Sequence, residues 1–271
     1  MSNVDTDKSV GRIRQVCLLL SAFIFCKKRG ESMDKLYIII PAYNEQDNIA
    51  RVIEQWYPVV EKTGNSSRLV IIDDGSSDNT YKIISEWGGE DRKPLLILLS
   101  KPNSGHGATV LYGYKYAVKK NADYIFQTDS DGQTDSDEFW KFWEQRNKFD
   151  MIIGNRNNRK DGISRVFVTK ILKLVIQICF KCSITDANTP FRLMSRETLK
   201  ENLKYVPRDF NLSNVILSVV YVKRGMRVKF MPITFKKRQG GVNSINLRKI
   251  FKIGINALRD FIIINRSLKN I

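Results

Sequence analysis

The chain is poor in the residue types that anchor several functional classes. It has four cysteines in 271 residues and one histidine, His106. Four cysteines are too few for a disulfide scaffold and suit a reducing compartment. Cys179 and Cys182 form a Cys-x-x-Cys, but no second pair stands at zinc spacing and the two lie in an apolar stretch. Neither zinc binding nor thiol redox chemistry is indicated. A lone histidine makes no metal cluster, and Gly105-x-Gly107 lacks the third glycine of a dinucleotide fingerprint. Long apolar runs are also missing. The run at 16–26, between Arg12 and Arg14 on one side and Lys27, Lys28 and Arg29 on the other, falls short of the roughly 20 residues a spanning helix needs. It has the length of a signal-peptide core, yet no small-x-small cleavage pattern follows it. Residues 1–32 therefore read as a poorly ordered extension before Met33, as an interfacial anchor, or as a cleaved signal.

Acidic residues are scarce in one half only. Residues 1–150 hold 20 Lys+Arg against 22 Asp+Glu, and residues 151–271 hold 25 against 6. The net charge of +17 therefore sits almost entirely in the second half, which should face something anionic: phospholipid, a phosphorylated acceptor or nucleic acid. What is present is otherwise globular: 42% hydrophobic and 27% charged residues, enough chain for one large domain or two small ones.

The first half alternates short apolar runs with helical spacings. Runs at 36–41, 69–72, 95–99, 124–128 and 151–153 read as strands, and the segments 48–61, 77–87, 108–120 and 137–146 as helices. That alternation predicts a parallel α/β sheet with right-handed crossovers, whose ligands sit beyond the carboxyl ends of the strands. The polar clusters fall there: Pro41-Ala42-Tyr43-Asn44-Glu45 after the first strand, Asp73 to Thr80 after the second, and Asp129-Ser130-Asp131-Gly132-Gln133 after the fourth. The second half is different in kind. Residues 163–182 form a long basic amphipathic stretch, 228–235 a strand interrupted by Pro232, and 246–268 a terminal amphipathic helix.

The Asp129-x-Asp131 pair has the chemistry of a hard-cation site, since Mg²⁺ or Mn²⁺ takes oxygen ligands and commonly one or two carboxylates plus substrate phosphates. The plain alternative is a solvated acidic turn. Asp73-Asp74-Gly75 can accept hydrogen bonds from a base or ribose while Gly75 permits a close backbone approach. The alternative there is a turn followed by a helix cap.

Taken in order and spacing, IIIPAYNEQDNI, VIIDDGSSDNT and DSDGQ resemble the family-2 glycosyltransferases of GT-A fold, a Rossmann-like α/β architecture. Asn103-Ser-Gly-His-Gly-Ala108 is similar to the family's Asn-x-Gly-x-Gly-x-Ala element, with His106 where a lysine is frequent. Gly154-Asn-Arg156, Arg165 and Asp186-Ala-Asn-Thr-Pro-Phe-Arg192 resemble the branch with dolichol-phosphate mannose synthases and polyprenyl-phosphate sugar transferases. The resemblance implies a metal-dependent, inverting glycosyltransferase. Pro41, Ala42, Tyr43, Glu45, Asp73, Asp74, Asn103, His106 and Asp129 would bind the nucleotide sugar, a UDP- or GDP-sugar. Asp129, Asp131 and Gln133 would organise Mg²⁺ or Mn²⁺. Arg156 and Arg165 would hold an acceptor phosphate, and Asp186 is a second-tier catalytic candidate that could equally orient Arg192 or cap a turn.

The implied acceptor is polyprenyl phosphate or a lipid-linked saccharide at an anionic membrane surface, the enzyme lying peripherally on the cytoplasmic face. Transfer to a sugar hydroxyl in polysaccharide or lipopolysaccharide assembly is the alternative. A processive synthase is not indicated, because Gln-x-x-Arg-Trp is absent. Nucleic acid is not an expected partner: the lysines of the basic half interleave with aliphatic residues rather than with base-stacking aromatics. A nucleotide-sugar binder without activity is disfavoured by the intact Asp129 and Asp131. The implied division is an extension at 1–32, a catalytic domain at 33–245 (nucleotide-binding at 33–150, acceptor-binding at 151–245) and an amphipathic helix at 246–271.

Overall fold

A computed structural model of the chain describes residues 34–88, 93–156, 163–207, 210–236 and 260–266, with 163–170 as backbone alone. The expectations for 1–32 and for most of the terminal helix lie outside these residues. The strands are β1 (Leu36–Ala42), β2 (Arg68–Asp73), β3 (Leu96–Ser100), β4 (Tyr124–Thr128), β5 (Met151–Arg156), β6 (Phe191–Ser195) and β7 (Val228–Ile233). They form one sheet in the order β3-β2-β1-β4-β6-β5-β7. β1, β2, β3 and β4 run parallel, and β6 enters antiparallel between β4 and β5. Among the described residues β7 pairs only with β5, in parallel, so Pro232 sits on an edge strand, the place in a sheet where proline is tolerated.

Side chains alternate along the strands between two apolar layers. Tyr37, Ile39, Val70 and Ile72 join one buried cluster, and Leu36, Ile38, Ile40, Leu69 and Ile71 join the other. Both faces are covered, which is why these strands read as continuous apolar runs. The first layer contains residues of α3 (His106–Lys119), α5 (Ile163–Phe180) and α7 (Ser213–Lys223). The second contains residues of α1 (Ile49–Thr63), α2 (Thr80–Trp87) and α4 (Phe139–Trp143). A further helix, α6 (Arg196–Asn202), follows β6.

Several elements depart from the sequence reading. The helix expected at 137–146 is a 3₁₀ turn, Ser136–Glu138, followed by the short α4. α2 starts three residues later than expected, because Asp78 accepts from the Thr80 amide at 2.9 Å and holds 77–79 in the preceding loop. β6, α6 and α7 were not anticipated. Of the terminal helix, residues 260–266 are helical, with Phe261 packed against Phe180 at 5.3 Å and Phe210 at 5.9 Å between ring centroids. Among the described residues no helix is long and apolar enough to cross a membrane.

α3 lies very close to the sheet. A Cβ at Gly113 would meet Ile39 Cγ2 at 2.3 Å and Ile72 Cδ1 at 2.9 Å. Helix propensity alone favours alanine over glycine by about 1 kcal/mol. Overpacking costs about 1–3 kcal/mol, and both isoleucines are fully buried on central strands. Overpacking should win: Gly113→Ala lowers the urea midpoint and Gly113→Val lowers it further. A midpoint at or above that of the unsubstituted chain for Gly113→Ala would show that helix and sheet can separate freely.

Candidate active site

The carboxyl ends of β1, β2 and β4 lie side by side, and the loops that follow them are laced together. Asn44 takes a left-handed conformation (φ 54°), its amide donating to Ser76 Oγ at 3.0 Å, while its Oδ1 accepts from the Ser77 amide at 2.9 Å. The Glu45 amide donates to Thr80 Oγ1 at 2.8 Å, and Ser130 Oγ donates to the Pro41 carbonyl at 2.8 Å. Three separate sequence motifs thereby share one rim. Pro41, Ala42 and Glu45 are buried in it, and Tyr43 is exposed. Glu45 also accepts from Asn48 Nδ2 at 2.8 Å, and Arg51 donates to Asn48 Oδ1 at 3.1 Å. The Arg51 guanidinium therefore reaches the Asp129–Gln133 turn, where it lies 3.3 Å from the position of a Cβ on Gly132.

Asp73 and Asp74 are both buried and engaged by protein donors. Asp73 accepts from the Ser76 amide at 3.3 Å and from Ser100 Oγ at 3.2 Å. Asp74 accepts from the Ser104 amide at 2.9 Å, from the Gly105 amide at 3.0 Å and from the Lys101 ammonium. Asp74 thus shapes the 101–105 loop that opens α3 and presents His106. Asn103 is exposed on that loop. Gly75 must be glycine: its φ is +67°, and a Cβ there would lie 2.9 Å from the Asn103 amide nitrogen.

His106 and Asp129 meet, with Nε2 3.0 Å from Oδ1. Gln127 Nε2 donates to the same oxygen at 3.0 Å. Desolvation acts to lower the pKa of His106, but the carboxylates of Asp129, Asp131 and Asp74 outweigh it, and the pKa is raised above the ordinary imidazole value. Asp74, Asp129 and Asp131 therefore share one electrostatic neighbourhood. Asp131 Oδ1 accepts from the Gln133 amide at 3.1 Å across the turn at Gly132 (φ +70°). Gln133 is tied to the end of the 228–236 segment: its Nε2 donates to the Lys236 carbonyl at 2.8 Å, and its own carbonyl accepts from the Lys236 amide at 2.7 Å. The Lys236 ammonium closes the tie 2.8 Å from Asp135, whose pKa it lowers. Among the described residues no group of three or more His, Cys, Asp or Glu side chains forms a metal cluster. Two carboxylates with a diphosphate would still satisfy a hard cation.

On the other side of β4, the Arg156 fork grips Asp186 through two bonds of 2.8 Å, and Phe235 stacks on the guanidinium at 5.1 Å. Both members of the pair are largely buried. Asp186 thus takes Arg156 as its bidentate partner rather than Arg192, which is fully buried and donates instead to the carbonyls of Ala187, Thr189 and Asn214 and to Ser218 Oγ. Arg165 is on the first turn of α5, and its side chain lies outside the described residues. Sequence reasoning missed Gln127, Asn214 and Tyr114, which run as a buried polar chain away from Asp129. Glutamine inside an apolar strand, Tyr124–Thr128, was the one visible sign.

The raised pKa of His106 has a directional consequence. The His106–Asp129 pair adds stability below the unfolded-state pKa, about 6.5, and loses it as pH rises through the higher folded-state value. In an NMR titration without added metal, the His106 ring should titrate above the ordinary value, and Asp129→Asn should bring it down. A titration unmoved by Asp129→Asn would remove Asp129 as the cause.

The comparisons with known proteins come from both sequence and structure. An undecaprenyl-phosphate 4-deoxy-4-formamido-L-arabinose transferase of Salmonella paratyphi B is 24% identical over 220 residues, covering 81% of this chain and 65% of that enzyme, so the chain spans less than two thirds of its relative's length. Among solved structures, mannosyl-3-phosphoglycerate synthase from Rubrobacter xylanophilus superposes with a TM-score of 0.62 at 13% identity, over 84% of this chain and 72% of that one. Glucosyl-3-phosphoglycerate synthase from Mycobacterium tuberculosis, in complex with Mn²⁺, uridine diphosphate and phosphoglyceric acid, superposes with a TM-score of 0.61 at 15% identity, over 87% of this chain and 78% of that one. Likenesses at that identity establish a shared fold. The family model described as "Glycosyl transferase family 2" matches residues 37–203, more than half the chain, and with the strand-end motifs now placed on one rim, the protein belongs to that family.

Proposed function

We propose that the protein is an inverting glycosyltransferase that moves a sugar from a nucleotide-sugar donor to a membrane-associated acceptor, polyprenyl phosphate above all. The observation that carries this reading is the gathering of Asp74, Asp129 and Asp131 around His106 at the ends of adjacent strands. The solved relatives of the same fold include a complex with Mn²⁺ and uridine diphosphate, and the Salmonella relative's name specifies undecaprenyl phosphate.

In this reading Pro41, Ala42, Tyr43, Glu45 and Asp73 line the nucleoside side, while Asp74 holds the loop carrying Asn103 and His106. Asp129 and Asp131 hold a divalent cation, Mg²⁺ or Mn²⁺, whose chemistry when bound is to neutralise charge developing on the departing diphosphate. Gln133 Nε2 donates to the Lys236 carbonyl and fixes the turn, so any part it plays toward the cation falls to its Oε1, the atom type a hard cation takes. His106, half exposed and cationic when protonated, faces the same charge. Arg156 serves the acceptor phosphate with its Nη1 donors, because Nε and Nη2 are committed to Asp186. Asp186 is then a positioning residue, with both of its oxygens engaged by the Arg156 guanidinium. A phosphate acceptor is already anionic and needs no base.

The membrane side of the proposal rests on α5 and the 260–266 helix. Ile171, Leu174 and Ile178 recur at i, i+3 and i+7 and are 45%, 57% and 68% exposed. Ile262 and Ile263 are also exposed, on a segment packed to α5 through Phe261 and Phe180. Lys173, Lys181 and Arg266 on the same elements are exposed. Apolar side chains in the headgroup boundary with nearby cations suit an anionic lipid surface.

The donor reading is tested with a panel of UDP- and GDP-sugars against polyprenyl phosphate in Mn²⁺ or Mg²⁺. Asp131→Ala should lower transfer by roughly 10²-fold or more. Transfer by that variant at the unsubstituted rate would end the metal assignment. For the membrane surface, the protein should sediment with phosphatidylglycerol vesicles in a salt-sensitive way and not bind oligonucleotides, and Ile178→Asp should weaken the vesicle binding. Equal binding by Ile178→Asp would move the contact elsewhere.

A further inference from the structure

The polar chain behind Asp129 has no role in the account so far, and its geometry is unusually constrained. Gln127 Nε2 donates to Asp129 Oδ1 at 3.0 Å, Asn214 Nδ2 donates to Gln127 Oε1 at 3.0 Å, and Tyr114 OH donates to Asn214 Oδ1 at 3.1 Å. Gln127 and Tyr114 have no exposed surface, and Asn214 has 3%. Three elements supply the links: β4, α7 and α3. Burial makes every mismatch along the chain costly, since a buried polar group without its partner loses the full desolvation penalty.

The directions of these bonds are set by chemistry. An ionised carboxylate accepts only, so Gln127 must turn its NH₂ toward Asp129 and its oxygen inward. That oxygen needs a donor, which obliges Asn214 to present its NH₂ and leaves its Oδ1 to the Tyr114 hydroxyl. The reverse orientation would set the Gln127 oxygen against the Asp129 carboxylate, lone pair against lone pair. Asn214 is itself fixed by its backbone: its carbonyl accepts from Arg192 Nη1 at 3.0 Å and from Ser218 Oγ at 2.8 Å. Arg192 stands directly opposite Gln127 in the β4–β6 ladder and also holds the Ala187 and Thr189 carbonyls, next to the Asp186 that grips Arg156.

We propose that Gln127, Asn214 and Tyr114 form a positioning relay that fixes Asp129 for cation binding and, through Arg192, ties it to the loop that holds Arg156. This rests on the reading of Asp129 and Asp131 as the cation's ligands. None of the relay residues touches substrate. Their function is to leave Asp129 one orientation, with one oxygen committed to the protein and the other directed outward.

Asn214→Asp tests the relay from a distance. The substitution keeps the shape of the side chain but puts an acceptor where Gln127 requires a donor, so the Gln127 amide is driven to flip and present its oxygen to Asp129. Mn²⁺ alone is titrated into the full chain and followed by EPR, with thermal unfolding as the control for folding. Asn214→Asp should weaken Mn²⁺ binding by about tenfold or more while remaining folded, the scale of losing a hydrogen bond to a charged group. Tyr114→Phe, lacking only the phenolic oxygen, should weaken it by a smaller factor, and it decides the matter if Asn214→Asp does not fold. Folded variants that bind Mn²⁺ like the unsubstituted chain, while Asp131→Asn does not bind, would overturn the relay and leave the cation site standing. An unsubstituted chain with no Asp131-dependent Mn²⁺ binding would overturn the cation site, and the relay with it.

Discussion

Like charges resist being gathered, and the fold is organised around overcoming that resistance at one place. Asp74, Asp129 and Asp131 come from two strand ends that the sheet order places either side of β1. Each is held by donors from a different part of the chain: Asp74 by Lys101 and the 104–105 amides, Asp129 by His106 and Gln127, Asp131 by the amide of Gln133. Removing water from such a group raises the electrostatic stakes, because attraction and repulsion both strengthen as the local dielectric falls. Desolvation would lower the pKa of His106, yet it is raised, because Asp129, Asp131 and Asp74 set a negative potential at the ring. A site left in that condition attracts cations.

The opposite sign is handled in the opposite way on the far side of β4. Arg192 is a fully buried cation whose donors go to carbonyls and a hydroxyl rather than in hydrogen bonds to a carboxylate, and desolvation lowers its pKa. Keeping it charged depends on the planar fork, whose five donors reach three carbonyls and a hydroxyl at once, more acceptors than the three donors of a lysine ammonium could serve. Arg156 by contrast has its carboxylate. The two arginines therefore do different work: one organises backbone, the other pairs with Asp186 through Nε and Nη2.

Much of this was legible in the sequence because strand-end chemistry is local. A buried strand announces itself by an apolar run, and the acidic residues that end it mark the face where ligands sit. The Asp73, Asp129 and Asp131 placements needed no more than that. What was not legible depends on partners distant in the chain. Phe191–Ser195 is only five residues long, and nothing in it reveals that it runs antiparallel between β4 and β5. α7 is buried on every side, from Ser213 through Tyr221, so it lacks the amphipathic period by which helices are recognised. Gln133 follows Asp131 by two, and nothing near it in sequence reveals that its Nε2 donates to the carbonyl of Lys236, more than a hundred residues away. The Asp186–Arg156 pair was hidden for the same reason: Arg192, six positions from Asp186, was the nearer candidate in sequence, and it feels the Asp186 charge, but the bidentate bonds go to Arg156.

The uneven charge of the chain takes on meaning once these pieces are placed. The acidic strand-end rim sits in the half with nearly balanced charge, and the half carrying the surplus of Lys and Arg supplies Arg156 and the exposed Lys173 of α5. For the proposed transfer this division is economical in physical terms. The donor's diphosphate is drawn to the cation held by the first half, and an anionic acceptor is drawn to the second. Neither anion has to approach the carboxylates unaided. Two anionic partners of one reaction repel each other in free solution, and bringing them together requires positive charge on both sides of the transferred group. A phosphate nucleophile is already anionic and needs no general base, which agrees with Asp186 being committed to Arg156.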